Sequence, residues 1–122
     1  ATDVQCTTSI SGLQVASVID GDDVLAACSA SGGSGYTVSD AETFEVQKRM
    51  AREEGIFCEP AGAVALAGAL NGFRNGELDP EGTVVCIVSG SGFKDTASVE
   101  RMNHNSCYEL VDVDGLFQPL EQ

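Results

Sequence analysis

Thr83-Val84-Val85-Cys86-Ile87-Val88-Ser89-Gly90-Ser91-Gly92 is the stretch on which the reading of the fold turns. From Thr83 to Val88 the run is apolar or β-branched throughout, without the polar alternation of a half-exposed strand. Such a run suits a strand covered on both faces, as in a parallel sheet. Ligands in open α/β sheets bind beyond the carboxyl ends of the strands, where backbone amides can approach them. Ser89–Gly92 is therefore either an anion cradle or a turn that uses glycine for steric reasons alone.

Upstream of this run, Pro60 fits the first turn of a helix, where its missing donor goes unneeded. The segment that follows, AGAVALAGAL from Ala61 to Leu70, is apolar on every side and predicts a buried helix. Ser39 and Glu42 have capping-box spacing and predict a helix to about Glu54, stopped by Gly55. Gly21 to Ser31 reads as a further helix, with Asp22 and Asp23 near its positive end and Gly32-Gly33 closing it. Gly35 to Val38 is a short strand candidate. Downstream, Asp95 to Met102 predicts a short helix and Cys107 to Val113 (CYELVDV) alternates like a strand. Helices alternating with strands give an α/β architecture, with the helices packed on a short, largely parallel sheet. A helix apolar on all sides is hard to cover within 122 residues, which predicts packing against further protein.

Acidic residues number 19 against 6 basic ones, a formal charge of −13. So acidic a surface repels phosphate backbones and anionic lipids, and excludes nucleic acid and membranes as expected partners. The surplus suits either a salty cytoplasm or ordinary solubility. No apolar run approaches the ~20 residues of a membrane span, and no basic region precedes an apolar one at the N-terminus. A soluble, cytoplasmic protein is expected. The five cysteines include no CxxC pair, so free thiols in a reducing compartment are expected, and no metal site. Cys28 and Cys86 lie in apolar stretches and read as buried hydrophobes. Glu59, just before the Pro60 helix, has a plain explanation in complementing the helix dipole, worth about 0.3–1 kcal/mol.

Taken in order, EEGIFCEPAGA (Glu53–Ala63) and VVCIVSGSGFKD (Val84–Asp95) resemble the C-terminal signature of fold-type II pyridoxal-phosphate (PLP) enzymes. The resemblance is nearest to threonine synthases, whose last glycine motif has the form T-G-x-G-L-K-D. Threonine and serine dehydratases share the E-P-A element but usually end in a serine-glycine-glycine-asparagine pattern. TTSISG (Thr7–Gly12), GDDVLAACSASGG (Gly21–Gly33) and VSDAETFEVQKRMAREEGIF (Val38–Phe57) also match in order, so the resemblance covers nearly the whole chain.

What the resemblance implies is specific. Ser89 matches the residue whose hydroxyl hydrogen-bonds the pyridine nitrogen of PLP, and Gly90 lets the ring lie against the backbone. Glu59 matches a carboxylate close to the ring, and Thr8 and Ser9 match a segment lining one face of the cofactor. Ser89 stands where threonine is common in threonine synthases and serine is usual in dehydratases, which leaves that choice open. Lys94 follows the pyridine-side motif and matches the lysine of the terminal glycine motif, not the lysine that holds PLP.

No segment matches the N-terminal domain, the PLP-holding lysine or the phosphate-binding loop. The resemblance thus implies that residues 1–122 are the C-terminal segment of the large domain of a PLP-dependent lyase. Such a segment has no catalytic residue of its own and is inactive alone, with the N-terminal half and an amino-acid substrate as partners and self-association possible. For a threonine synthase the substrate is O-phosphohomoserine, and for a dehydratase it is threonine or serine. A non-catalytic interaction module that retains this piece of fold is the reading of a different class.

Overall fold

The computed structural model describes residues 5–15 and 17–104. Among them are helices α1 (Gly21–Ser31), α2 (Asp40–Glu53), α3 (Pro60–Arg74) and α4 (Thr96–Asn103), with 3₁₀ turns at Ser11–Leu13 and Gly92–Lys94. The helix signals act where the sequence puts them. Ser39 and Glu42 form a reciprocal capping box at the start of α2, and Pro60 opens α3. Gly32 closes α1 with a left-handed φ of 68°, and the amide of Gly33 donates to the Cys28 carbonyl at 2.8 Å. Gly55 ends α2 in the same way, also at φ 68°. Glycine is suited to both positions because a Cβ disfavours that conformation. Asp95 caps α4 by accepting from the Ser98 amide.

The core is the contact of α2 with α3. Val46 and Met50 on α2 meet Ala63 and Ala67 on α3, with Cys58 between them and Val38, Leu66 and Leu70 at the margin. Small residues on α3 let other groups approach its backbone. Tyr36 lies over Gly68 and, with Leu78, fills the space beside Gly72, where a Cβ would come within 2.9 Å of both side chains. Burial also pushes the Cys58 thiol up, so it stays protonated at neutral pH.

The N-terminal segment is tied to this pair at two places. Gly12 presses on the first turn of α3, where a Cβ would come within 2.8 Å of Ala61. Thr8 and Ser9 both bond to Asp40 at the head of α2; the Ser9 amide donates to Asp40 Oδ2 at 2.7 Å, the Ser9 hydroxyl to Oδ2 at 2.6 Å, and the Thr8 hydroxyl to Oδ1. These donors hold the Asp40 carboxyl below the usual aspartate range.

Three expectations need correction. No strand forms among the described residues: neither Gly35–Val38 nor Thr83–Val88 joins a ladder, and the expected strand Cys107–Val113 lies outside the described residues. Such a strand needs ladder partners at its edges and layers over both faces, and without that cover Val85 and Ile87 stand 85% and 78% exposed. Second, α3 is not buried on every side; Ala65 is exposed, and Ala61, Val64, Leu66 and Leu70 are half-buried. Third, the buried thiol belongs to Cys58, while Cys28 and Cys86 are half-buried. No helix among the described residues is long and apolar enough to cross a membrane.

Two predictions follow from this packing. Ala67→Leu inserts bulk between α2 and α3 and should destabilise the protein by about 1–3 kcal/mol in thermal or denaturant unfolding. The Asp40 anchor should make stability pH-dependent. Its native pKa is depressed, so its contribution is whole above the ordinary aspartate value of about 3.9 and disappears as pH falls through the lower native value. Unfolding followed from neutral to acid pH should show a smaller acid loss in Asp40→Asn than in the parent protein.

Candidate functional site

Leaving α2 at Gly55, the chain must reverse within a few residues to enter α3. The connection Phe57-Cys58-Glu59 does so while running antiparallel to Gly90-Ser91-Gly92. Cys58 and Ser91 form an isolated antiparallel bridge. The Glu59 amide donates to the Gly90 carbonyl at 3.0 Å, and the Gly92 amide donates to the Phe57 carbonyl at 3.1 Å. The two motifs that the sequence sets some thirty residues apart, roughly a hundred ångströms if fully extended, are therefore hydrogen-bonded to each other.

The glycines make this approach possible. A Cβ on Gly90 would overlap the Glu59 carboxylate, and one on Gly92 would come within 2.7 Å of the Phe57 ring. Gly62, in the first turn of α3, faces the Gly90 backbone, with 3.4 Å from its own Cβ position to the Gly90 carbonyl oxygen. Phe57 and Phe93 close the far end edge-to-face, with ring centroids 4.9 Å apart. Glu59 is the N-cap residue of α3, and its side chain makes no capping hydrogen bond. Its carboxylate instead occupies the space that a side chain at position 90 would need.

Of the residues singled out by sequence, Ser89, Gly90 and Glu59 come together. Ser89 is exposed, and its hydroxyl has no hydrogen-bond partner among the described residues. Thr8 and Ser9 are committed to Asp40, at the head of the neighbouring helix. The 3₁₀ turn that follows them, Ser11–Leu13, nevertheless meets the first turn of α3, where Gly12 faces Ala61. Lys94 is exposed at the end of its turn, and Lys48 lines a separate groove of about 480 Å³ with Arg52, Phe57, Val99 and Met102. No cluster of His, Cys, Asp and Glu suited to a metal ion occurs among the described residues.

Gln47 was not visible as a site residue in the sequence. It is 1% exposed, and its Nε2 donates to the Cys58 carbonyl at 2.9 Å and to the Ser98 hydroxyl at 3.0 Å. The available signal was position: Gln47 shares the helical stripe of Thr43, Val46 and Met50, all of them buried. Amid the charged residues of α2 a glutamine reads as surface.

A neutral hydroxyl without a partner among the described residues, a glycine beside it and a carboxylate against that glycine form a set of groups that fits one edge of a PLP ring. Serine can donate a hydrogen bond to the pyridine nitrogen without transferring a proton. Neither lysine stands in this group.

The comparisons show the family. Residues 1–90 match the family described as pyridoxal-phosphate dependent enzyme. The threonine synthase of Methanocaldococcus jannaschii is 38% identical over 115 residues, covering 94% of this chain and 28% of that protein. That of Synechocystis sp. is 36% identical over 88 residues, covering 72% of this chain and 22% of the relative. That of Mycobacterium tuberculosis is 41% identical over 63 residues, 52% of this chain and 18% of the relative. The chain thus spans about a quarter of the length of these relatives. With a family match over most of its length and both signature motifs joined at one site, this chain belongs to the pyridoxal-phosphate dependent enzymes.

Proposed function

We propose that this chain supplies the pyridine-nitrogen side of the cofactor pocket in a threonine synthase-like enzyme that converts O-phosphohomoserine to threonine and phosphate. The observation that supports the proposal is the hydrogen bond from the Glu59 amide to the Gly90 carbonyl, which sets the Glu59 carboxylate against Gly90, the residue next to the exposed Ser89. When bound, PLP supplies an electron sink for the carbanion chemistry of amino-acid substrates. Ser89 donates to the ring nitrogen but leaves it unprotonated, which moderates that sink and suits elimination and replacement better than transamination. Gly90 gives the ring a flat backbone surface. Glu59 orients ring substituents or neighbouring loops, and the Thr8–Ser9 segment, steadied by Asp40, lines a flank of the cofactor.

The lysine and the phosphate-binding loop come from an N-terminal half, and this chain is inactive without it. In that assembly Thr83–Val88 pairs as an inner strand of a largely parallel sheet. The exposure of Val85 and Ile87, and of Val24 and Leu25 on α1, supports that docking and leaves self-association open. The acidic, thiol-bearing chain is assigned to the cytoplasm.

Dehydration of threonine or serine is the second reading, and Ser89 itself favours it. The assay that separates them uses the protein in which this chain is combined with the lysine-bearing part. Phosphate release from O-phosphohomoserine is expected, whereas release of ammonia and a 2-oxo acid from threonine would select the dehydratase. In the same protein Ser89→Ala should weaken PLP binding by about 0.5–1.5 kcal/mol, the worth of one neutral hydrogen bond, and lower turnover with the fold intact. Unchanged cofactor affinity and turnover would remove Ser89 from the pyridine nitrogen.

A further inference from the structure

We infer that Gln47 is a positioning residue that sets the Ser89–Gly90 backbone through a relay of hydrogen bonds. The inference rests on the reading of Ser89 as the partner of the pyridine nitrogen. The peptide between Cys58 and Glu59 is held on both sides: its carbonyl accepts from Gln47 Nε2 at 2.9 Å, and its N–H donates to the Gly90 carbonyl at 3.0 Å. The other Gln47 amide hydrogen reaches Ser98 Oγ at 3.0 Å. Ser98 is in turn fixed to the residue that ends the glycine turn, with its hydroxyl donating to the Asp95 carbonyl at 2.9 Å and its amide to Asp95 Oδ1 at 3.0 Å. One side chain on α2 thus grips both the Phe57–Glu59 connection of the site and the segment that follows Ser89-Gly90-Ser91-Gly92.

The orientation of the amide is forced. The Cys58 carbonyl can only accept, and Ser98 Oγ already donates to Asp95, so the nitrogen of Gln47 must face both. That leaves Gln47 Oε1 buried without a partner among the described residues. An apolar side chain of similar length would fill the same space without that penalty, so what glutamine contributes is its pair of donors. Chained hydrogen bonds across a shared peptide also polarise one another, which couples Gln47 to the Gly90 carbonyl without contact between them.

The test is a double-mutant cycle in the complete, PLP-loaded protein, read as the PLP dissociation constant and the cofactor's emission spectrum. Gln47→Met should weaken PLP binding roughly two- to tenfold and shift the spectrum in the same direction as Ser89→Ala. The double variant should lose less than the product of the two single losses, because a displaced Ser89 has little left to lose. In the cofactor-free protein, hydrogen exchange at the Glu59 amide should accelerate while the middle of α3 keeps its protection. Ser98→Ala, a smaller change, should move both readouts the same way to a lesser degree, and it serves if Gln47→Met fails to fold. A Gln47→Met or Ser98→Ala protein of lowered stability but parental PLP affinity and spectrum would overturn the inference, as would multiplicative losses in the double variant. Parental PLP affinity in Ser89→Ala would instead overturn the pyridine-nitrogen reading, and is told apart because it appears without any change at Gln47.

Discussion

The site depends on the hydrogen bond from the Glu59 amide to the Gly90 carbonyl. Without it the start of α3 and the glycine turn would be separate surface features, each with an ordinary explanation. A helix entry can use a carboxylate for its dipole, and a turn can use glycine for its shape. Joined, they explain each other. Glu59 lies where position 90 has no side chain, Phe57 lies where position 92 has none, and Gly62 leaves room for the Gly90 backbone. The α2–α3 core supports this arrangement from behind through Val46, Met50, Cys58 and Ala63.

The sequence showed the helices well because their signals are local. The capping box at Ser39, Pro60 and the glycines after α1 and α2 act within one turn of the backbone, so neighbours cannot override them easily. The sheet was read from Thr83–Val88, and that signal is about environment. An unbroken apolar run says that a strand wants cover on both faces; it does not say that the cover lies within the same chain. The described residues provide no paired strand, and the run stands exposed. The same reasoning accounts for α3, whose apolar surface exceeds what α2 alone can bury.

The candidate site was legible in part. Ser89, Gly90 and Glu59 could be named from motif order and resemblance to a family, and they meet in space. Composition alone would have found none of them. Thr8 and Ser9 could be named in the same way, but their bond to Asp40 depends on a long-range contact that spacing does not reveal. Gln47 was hidden for a different reason. A lone buried amide in a helix rich in Glu, Lys and Arg gives no sign of burial except its register with Val46 and Met50.

The central claim is that this chain contributes the pyridine side of a PLP pocket and not the lysine that holds the cofactor. Borohydride reduction in the presence of PLP, followed by intact-mass and peptide mapping, tests it most directly. The account expects no site-specific adduct on Lys48 or Lys94, and an adduct on the lysine-bearing part when the two are combined. A stoichiometric adduct at Lys94 on this chain alone would contradict it and make the chain a self-sufficient PLP protein.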